Sequence, residues 1–349
     1  MKIGDEVVGI HEIAAMAGVS KQAVANWRTR AVNFPQPVAE LASGPIFYRS
    51  QIRLWLRKNK GKKSMAHVIS TINLKGGVAK TTTSVALAES YAVAGKKVLV
   101  IDLDPQTNAT IMLIGEDKWL ELNKEGCTLA QLFKDALDPE HPKFDLKATL
   151  QKNVGDVSAS GRIDLLPSSL DLIDVQDKLA STPSGKFYAV NPIDLLWRAV
   201  KSKLDDYDIV IVDCPPNLGI ITLNGLRISH GYIIPTIPDH LSTYGIPQIT
   251  TRVAEFSKAI AEEVEALGIV ITKFQSNSTV HKTVLRDLEA DAKMPEVFDT
   301  RIKQSNAIAA AAEYAPYKRT LKQKYGSGSE GLAEQFNQLA DEVWERLEG

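Results

Sequence analysis

Cysteine is nearly missing from this chain: Cys127 and Cys214 are the only two in 349 residues. With no CxxC pair they cannot build a disulfide framework or a cysteine-rich zinc site, and a reducing compartment suits them. Histidine is scarce and scattered (positions 11, 67, 141, 230, 240 and 281), without HxxxH or HExxH spacing, which argues against histidine-ligated metal. Aromatic residues make up 7%, and Trp27, Trp55, Trp119, Trp197 and Trp344 read as core or cap residues rather than stacking platforms. There is no GxSxG nucleophile motif. No apolar run approaches the ~20 residues of a membrane span, and MKIGDEVVGI does not read as a signal peptide. Disorder, collagen and coiled coil are excluded by 44% hydrophobic and 24% charged residues. A soluble cytoplasmic protein with no membrane partner is the expectation.

Charge is unevenly spread. Residues 1–65 hold eleven Lys and Arg against four Asp and Glu, although the whole chain sums to −1. A basic leading segment points to an anionic partner, nucleic acid first, with a solvated basic tail as the plain alternative. Residues 59–65 (NKGKKSM) are basic and lack an apolar period, so they read as a linker between domains at 1–58 and 66–349. Beyond the linker, apolar runs at 67–74, 97–104, 162–167, 208–214, 232–237 and 268–272, with a weaker one at 296–302, alternate with helical stretches. That pattern predicts an α/β fold, a mostly parallel sheet flanked by helices on both faces. Residues 115–160 read as an irregular helical insertion. Residues 330–347 read as an amphipathic helix burying Leu332, Phe336, Leu339, Val343 and Leu347.

The strongest motif is Asn73-Leu74-Lys75-Gly76-Gly77-Val78-Ala79-Lys80-Thr81-Thr82-Thr83, between a strand and a helix expected over 84–93. A Gly-rich strand-to-helix turn lets backbone N–H groups surround phosphate oxygens, and the helix N-terminus adds its positive dipole end. Lys80 reaches the β- and γ-phosphates, and Thr81 offers a hydroxyl to Mg²⁺. The common GxxxxGK[ST] pattern is not met, because Leu74 and Ala79 stand at its two glycine positions. The variant KGGxxK[ST] is met, with Lys75 five residues before Lys80. Asp102 and Asp104 close one apolar run, Asp213 closes another, and open α/β sheets bind ligands beyond such strand ends.

In this order, the lysine variant, DLDPQTNAT, LLPSSLDL, VDCPPNLG and YIIPTIPDHLSTYG are similar to the ParA-type ATPases that partition plasmids and chromosomes. The likeness spans roughly residues 66–349. It implies a P-loop NTPase fold using ATP and Mg²⁺, cradled by residues Lys75, Gly76, Gly77, Val78, Ala79, Lys80, Thr81 and Thr82. It also implies an ATP-sandwich homodimer in which Lys75 crosses to the nucleotide of the opposite subunit. Asp104 would position or polarise the attacking water, Asp102 would support the metal shell, and Asp213 would be the Mg²⁺-side acid. Gly219 would hinge the switch segment, with base contacts after Thr272 and around Pro238. Ala79 replaces the family's usual glycine, and a negative φ is expected there.

The segment 11–27 resembles a helix-turn-helix: Ala14 allows close helix approach, Gly18 takes the turn, Ser20 caps the second helix, and Val24 and Trp27 face the core. Lys21, Gln22, Asn26 and Arg28 are left for base and phosphate contacts. A hairpin-like stretch and a helix at 51–57, with Ile52, Trp55 and Leu56 inward, complete a likeness to the winged helix-turn-helix of MerR-like and excisionase-like proteins, with Arg49 near the wing. A second basic group, including Arg286, Lys318, Arg319, Lys322 and Lys324, falls where the ParA-type family binds DNA non-specifically; a solvated helix face explains each residue as well. The implied partners are operator DNA for the N-terminal domain, non-specific DNA for the ATP dimer, and a ParB-like centromere-binding protein, at a nucleoid-associated location. A nucleotide-controlled transcription repressor and a cargo-positioning ATPase remain the alternatives.

Overall fold

A computed structural model describes residues 7–17, 20–30, 34–41, 44–59, 66–181, 191–327 and 331–348. The chain divides into two compact units, Met1–Met65 and Ala66–Gly349. The expected turn at Gly18 and residues 60–65 of the expected linker lie outside the described residues.

The first unit runs β1 (Val7–Gly9), α1 (Ile10–Ala17), α2 (Lys21–Arg30), β2 (Ala39–Leu41), β3 (Gly44–Tyr48) and α3 (Arg49–Asn59). β3 pairs antiparallel with both β1 and β2. Its core is small: Ile13, Ala14 and Ala17 of α1, Val24 of α2, Phe47 of β3, and Ile52, Trp55 and Leu56 of α3. Phe34 joins them edge-on to Trp55 at 4.6 Å between ring centroids. Trp27, expected in this core, is partly buried against it.

The second unit is built on seven strands: β4 (His67–Thr71), β5 (Val98–Asp102), β6 (Ile163–Leu166), β7 (Ile209–Asp213), β8 (Gly231–Thr236), β9 (Glu265–Phe274) and β10 (Val297–Lys303). They form one sheet in the order β10-β9-β8-β4-β7-β5-β6, parallel throughout. All seven apolar runs are therefore strands. Successive residues serve opposite faces: Leu99, Ile101, Val210 and Val212 enter one apolar layer, while Val98, Val100, Ile209 and Ile211 enter the other. The first layer packs on α7 (Leu129–Leu137), α9 (Leu172–Ser181), α10 (Leu195–Leu204), α11 (Ile220–Ile228), α13 (Ile246–Ile260) and α14 (Thr279–Ala290). The second packs on α4 (Lys80–Val93), α5 (Asn108–Ile114), α16 (Leu321–Tyr325) and α17 (Leu332–Glu348). All five residues expected inward on the last helix are buried. Short helices α6 (Glu116–Lys124) and α8 (Leu146–Thr149) lie in the 115–160 insertion; α12 (His240–Thr243) follows β8 and α15 (Asn306–Ala311) follows β10.

This strand order places the site. The chain leaves β4 for β5, and β7 is later inserted between them, so the connections diverge beside β4. Thr71 pairs with Asp213 and Asp102 with Asp213, which brings three strand ends level at the carboxyl edge.

Candidate active site

The turn after β4 is tied down before the helix begins. Asn73 donates from Nδ2 to the Pro235 carbonyl (2.8 Å), and its Oδ1 accepts the Lys75 N–H (2.9 Å). Gly77 and Ala79 both have positive φ, 76° and 62°. Alternating left-handed residues curl successive N–H groups toward one point, the geometry of an anion nest. The expectation of a negative φ at Ala79 is thus corrected: the curl requires the left-handed conformation at the last residue before α4, whatever side chain stands there. The helix itself starts at Lys80, four residues earlier than expected.

Beyond the strand ends lies a cleft of about 510 Å³. Gly76, Gly77, Ala79, Lys80, Thr81 and Thr82 form its floor, Asp104, Gln106, Asn108 and Pro216 one wall, and Lys273 with residues 304–312 the other. Val78 is buried beneath the turn. Lys80 is buried too, its Nζ donating to the Lys75 carbonyl (3.1 Å). Burial pulls its pKa down, opposed by the charges of Asp213 and Asp104. Lys75 is exposed and is not part of the cleft lining.

The three acids differ. Asp213 is fully buried; its Oδ1 accepts Ser84 Oγ–H (2.9 Å), and its Oδ2 has no hydrogen-bond partner among the described residues. Burial pushes its carboxyl up to about 7, against the pull of the neighbouring Thr81 and Ser84 hydroxyls and the Lys80 ammonium. Asp104 lines the cleft, and its Oδ1 accepts the Gln106 N–H (2.9 Å). Asp102 is directed inward: Oδ1 accepts the Asp104 N–H (3.0 Å), and Oδ2 accepts both the N–H and hydroxyl of Thr110 (2.9 and 2.7 Å). Asp102, expected to support the metal shell, thus lies outside the cleft lining and bonds the loop that carries Asp104.

Pro238 is buried and outside this cleft lining; the next residue, Asp239, accepts the Ser242 N–H (2.8 Å) and caps α12. Gly219 is extended (φ −75°), so φ does not require glycine, and a Cβ there would meet only the side-chain ends of Asn217 (Oδ1) and Gln176 (Oε1), each at 2.9 Å. The wall at 304–312 has no local signal in the sequence; Gln106, Asn108 and Pro216 fall within the DLDPQTNAT and VDCPPNLG motifs, which by themselves assign them no role.

In the N-terminal unit, Ser20, Lys21, Gln22, Asn26 and Arg28 are exposed on or beside α2. Gln22 bonds Asn26 (3.4 Å), and Arg28 is ion-paired with Glu40 of β2. Arg49 opens α3 directly after β3. In the larger unit Arg286 is exposed on α14, paired with Asp287 at 3.3 Å, and Lys322 is exposed on α16. Two of the late basic residues are corrected. Arg319 is ion-paired with the buried Asp156, and Lys324 is fully buried between Glu89 (2.7 Å) and Asp156 (2.8 Å). A charge inside the protein must have such partners, so these two groups hold the fold together, while Lys318 stays exposed with its Nζ donating to the Gly155 carbonyl (2.7 Å).

Comparison with known proteins agrees with this geometry. The profile of an AAA domain family (AAA_31) matches residues 66–266. The sporulation initiation inhibitor protein Soj of Bacillus subtilis (strain 168) is 30% identical over 251 residues, covering 72% of this chain and 89% of Soj. The chromosome partitioning protein ParA of Myxococcus xanthus is 26% identical over 259 residues, covering 74% and 82%. Among solved structures, cobyrinic acid a,c-diamide synthase from Mycobacterium smegmatis, with bound ATP analogue and magnesium, superposes with a TM-score of 0.61 at 26% identity, covering 79% of this chain and 93% of that one. A lysine-bearing phosphate turn flanked by acids at neighbouring strand ends, a family profile over more than half the chain and a relative matched over most of its length lead to one conclusion: the chain belongs to the ParA/Soj family of partition ATPases.

Proposed function

We propose that the protein segregates DNA through an ATP-bridged homodimer that binds DNA and is reset by hydrolysis. The observation that carries this reading is the unequal placement of the two motif lysines. Lys80 is buried facing the acids of its own cleft, whereas Lys75 is exposed and outside that lining. A lysine without work in its own site suits one that reaches the nucleotide of a second copy.

The donor set fits a magnesium nucleotide. A buried carboxylate oxygen left unpaired, as Asp213 Oδ2 is, costs free energy unless a cation completes it. Thr81 adds a hydroxyl, and hard oxygen ligands are what Mg²⁺ takes. No group of three or more His, Cys, Asp or Glu suited to a metal occurs among the described residues, so the phosphates would complete the shell. Mg²⁺, when bound, supplies positive charge against the phosphate oxygens. The N–H groups of the turn and the Lys80 ammonium hold the phosphates, Asp104 orients the attacking water, and Asp102 aims Asp104 from beneath.

The N-terminal unit serves as a winged helix-turn-helix, with α2 presenting Lys21, Gln22 and Asn26 to the major groove and the β2–β3 hairpin as the wing. Dimerisation sets the half-site spacing, a ParB-like partner stimulates hydrolysis, and Arg286, Lys318 and Lys322 serve as non-specific DNA contacts. No helix among the described residues is long and apolar enough to cross a membrane.

The test compares two alanine variants by nucleotide binding and size-exclusion chromatography with Mg²⁺ and a non-hydrolysable ATP analogue. Lys80→Ala is expected to lose nucleotide binding. Lys75→Ala is expected to bind nucleotide yet remain monomeric, and a normal nucleotide-dependent dimer in that variant would overturn the bridged arrangement.

A further inference from the structure

The end of β9 lies against the phosphate turn and touches it twice. Thr272 Oγ1 donates to the Val78 carbonyl (3.0 Å), sharing its proton with the Thr236 carbonyl (3.1 Å). Lys273 Nζ donates to the Gly77 carbonyl (2.8 Å). Two adjacent residues of one strand thus hold two adjacent carbonyls of the turn. Lys273 adopts φ 49° to do so, a left-handed conformation outside any glycine.

A trans peptide is planar, with its C=O and N–H pointing in opposite directions. Fixing the Gly77 carbonyl fixes the N–H of Val78, and fixing the Val78 carbonyl fixes that of Ala79. Lys80 does the same from the other side, because its grip on the Lys75 carbonyl sets the N–H of Gly76. Both left-handed residues of the turn, Gly77 and Ala79, fall within the span so held.

We infer that Thr272 and Lys273 form a clasp that keeps the phosphate turn's N–H groups aimed into the cleft before any ligand arrives, and that both are positioning residues for the nucleotide. The clasp rests on the reading of the cleft as a nucleotide-phosphate site. Thr272 is buried and does not line the cleft, so it acts through the turn alone. Lys273 lines the cleft as well, so its variants need a readout that separates the clasp from a direct charge contact.

The test uses the full chain with Thr272→Val, which keeps the shape, and Lys273→Met, which keeps the stem. Two quantities are measured: amide hydrogen exchange of residues 76–80 without nucleotide, and equilibrium binding of Mg²⁺ with a non-hydrolysable ATP analogue. Each variant is expected to exchange faster at Val78 and Ala79 and to bind about tenfold more weakly, the scale of one lost hydrogen bond. Lys273→Arg, which keeps a donor, is expected to restore both, and Thr272→Ser does so at the buried position if valine prevents folding. Unchanged exchange at Val78 and Ala79 overturns the clasp, including the case in which only Lys273→Met binds weakly. Should the unaltered protein bind no nucleotide, the phosphate reading falls, and the exchange data still decide the clasp.

Discussion

Ala79 and Asp213 each occupy a position that their own chemistry disfavours. A left-handed conformation costs an L-residue roughly 1–2 kcal/mol, and Ala79 has it in the floor of the cleft. Glycine would relieve that strain but return roughly 0.4–1 kcal/mol through unfolded-state freedom. Ala79→Gly is therefore expected to raise stability by about 0.5–1 kcal/mol in denaturant melts, with the fold unchanged. Asp213 titrates in the other direction. Its folded carboxyl, held near 7 by burial, lies above its ordinary 3.8. Between those values the nucleotide-free folded chain carries a proton that the unfolded chain has lost, so this group's contribution to stability falls as pH rises from about 4 to about 7, by at most about 1.4 kcal/mol per pH unit. Asp213→Asn is expected to flatten that slope and to be more stable than the unaltered protein at pH 8, yet to lose Mg²⁺-dependent nucleotide binding. Urea melts at pH 5 and pH 8 check the first two effects. The acid was legible as the last residue of an apolar run; its unpaired oxygen was not, because that depends on which hydroxyls fold against it.

At the scale of elements, continuous apolar runs identified every strand of the sheet, since both faces are covered and no alternation with polar residues interrupts them. The cleft wall at 304–312 escaped the same reading. It is alanine-rich and reaches the phosphate turn only because β10 pairs with β9. Lys324 is more instructive. Read as one of a basic run, it sits three residues after Leu321 and one before Tyr325, the spacing of an inward helical face. Its ammonium bonds Glu89 of α4 and Asp156, while the Tyr325 hydroxyl donates to the second Glu89 oxygen (2.7 Å). Removing one member of such a buried set leaves its partners uncompensated. Lys324→Met is expected to cost about 3–5 kcal/mol. Adding Glu89→Gln should recover part of that loss, and a double-mutant cycle in urea measures the coupling. Purely additive effects would show that the two groups do not sense each other.

For the whole molecule, the charge asymmetry of the sequence coincides with the division into two units, one small and basic, the other larger and acidic. Deleting residues 1–65 is expected to abolish footprints on operator DNA while leaving ATP turnover in place. Residual DNA binding by the remaining unit should weaken steeply with added salt, as a contact made through phosphates alone does. Footprinting and ATPase assays on the shortened chain decide this, and retained footprints would place the DNA reader in the larger unit. The central helix α4 has its own consequence. Its first turn is the floor of the phosphate cleft; further along, Glu89 holds α16, and Ala340 of α17 accepts a hydrogen bond from the Tyr91 hydroxyl (2.8 Å). Fourteen residues of helix make a rod of roughly 21 Å. One rigid element thus joins the phosphate end to the last helix by direct hydrogen bonding.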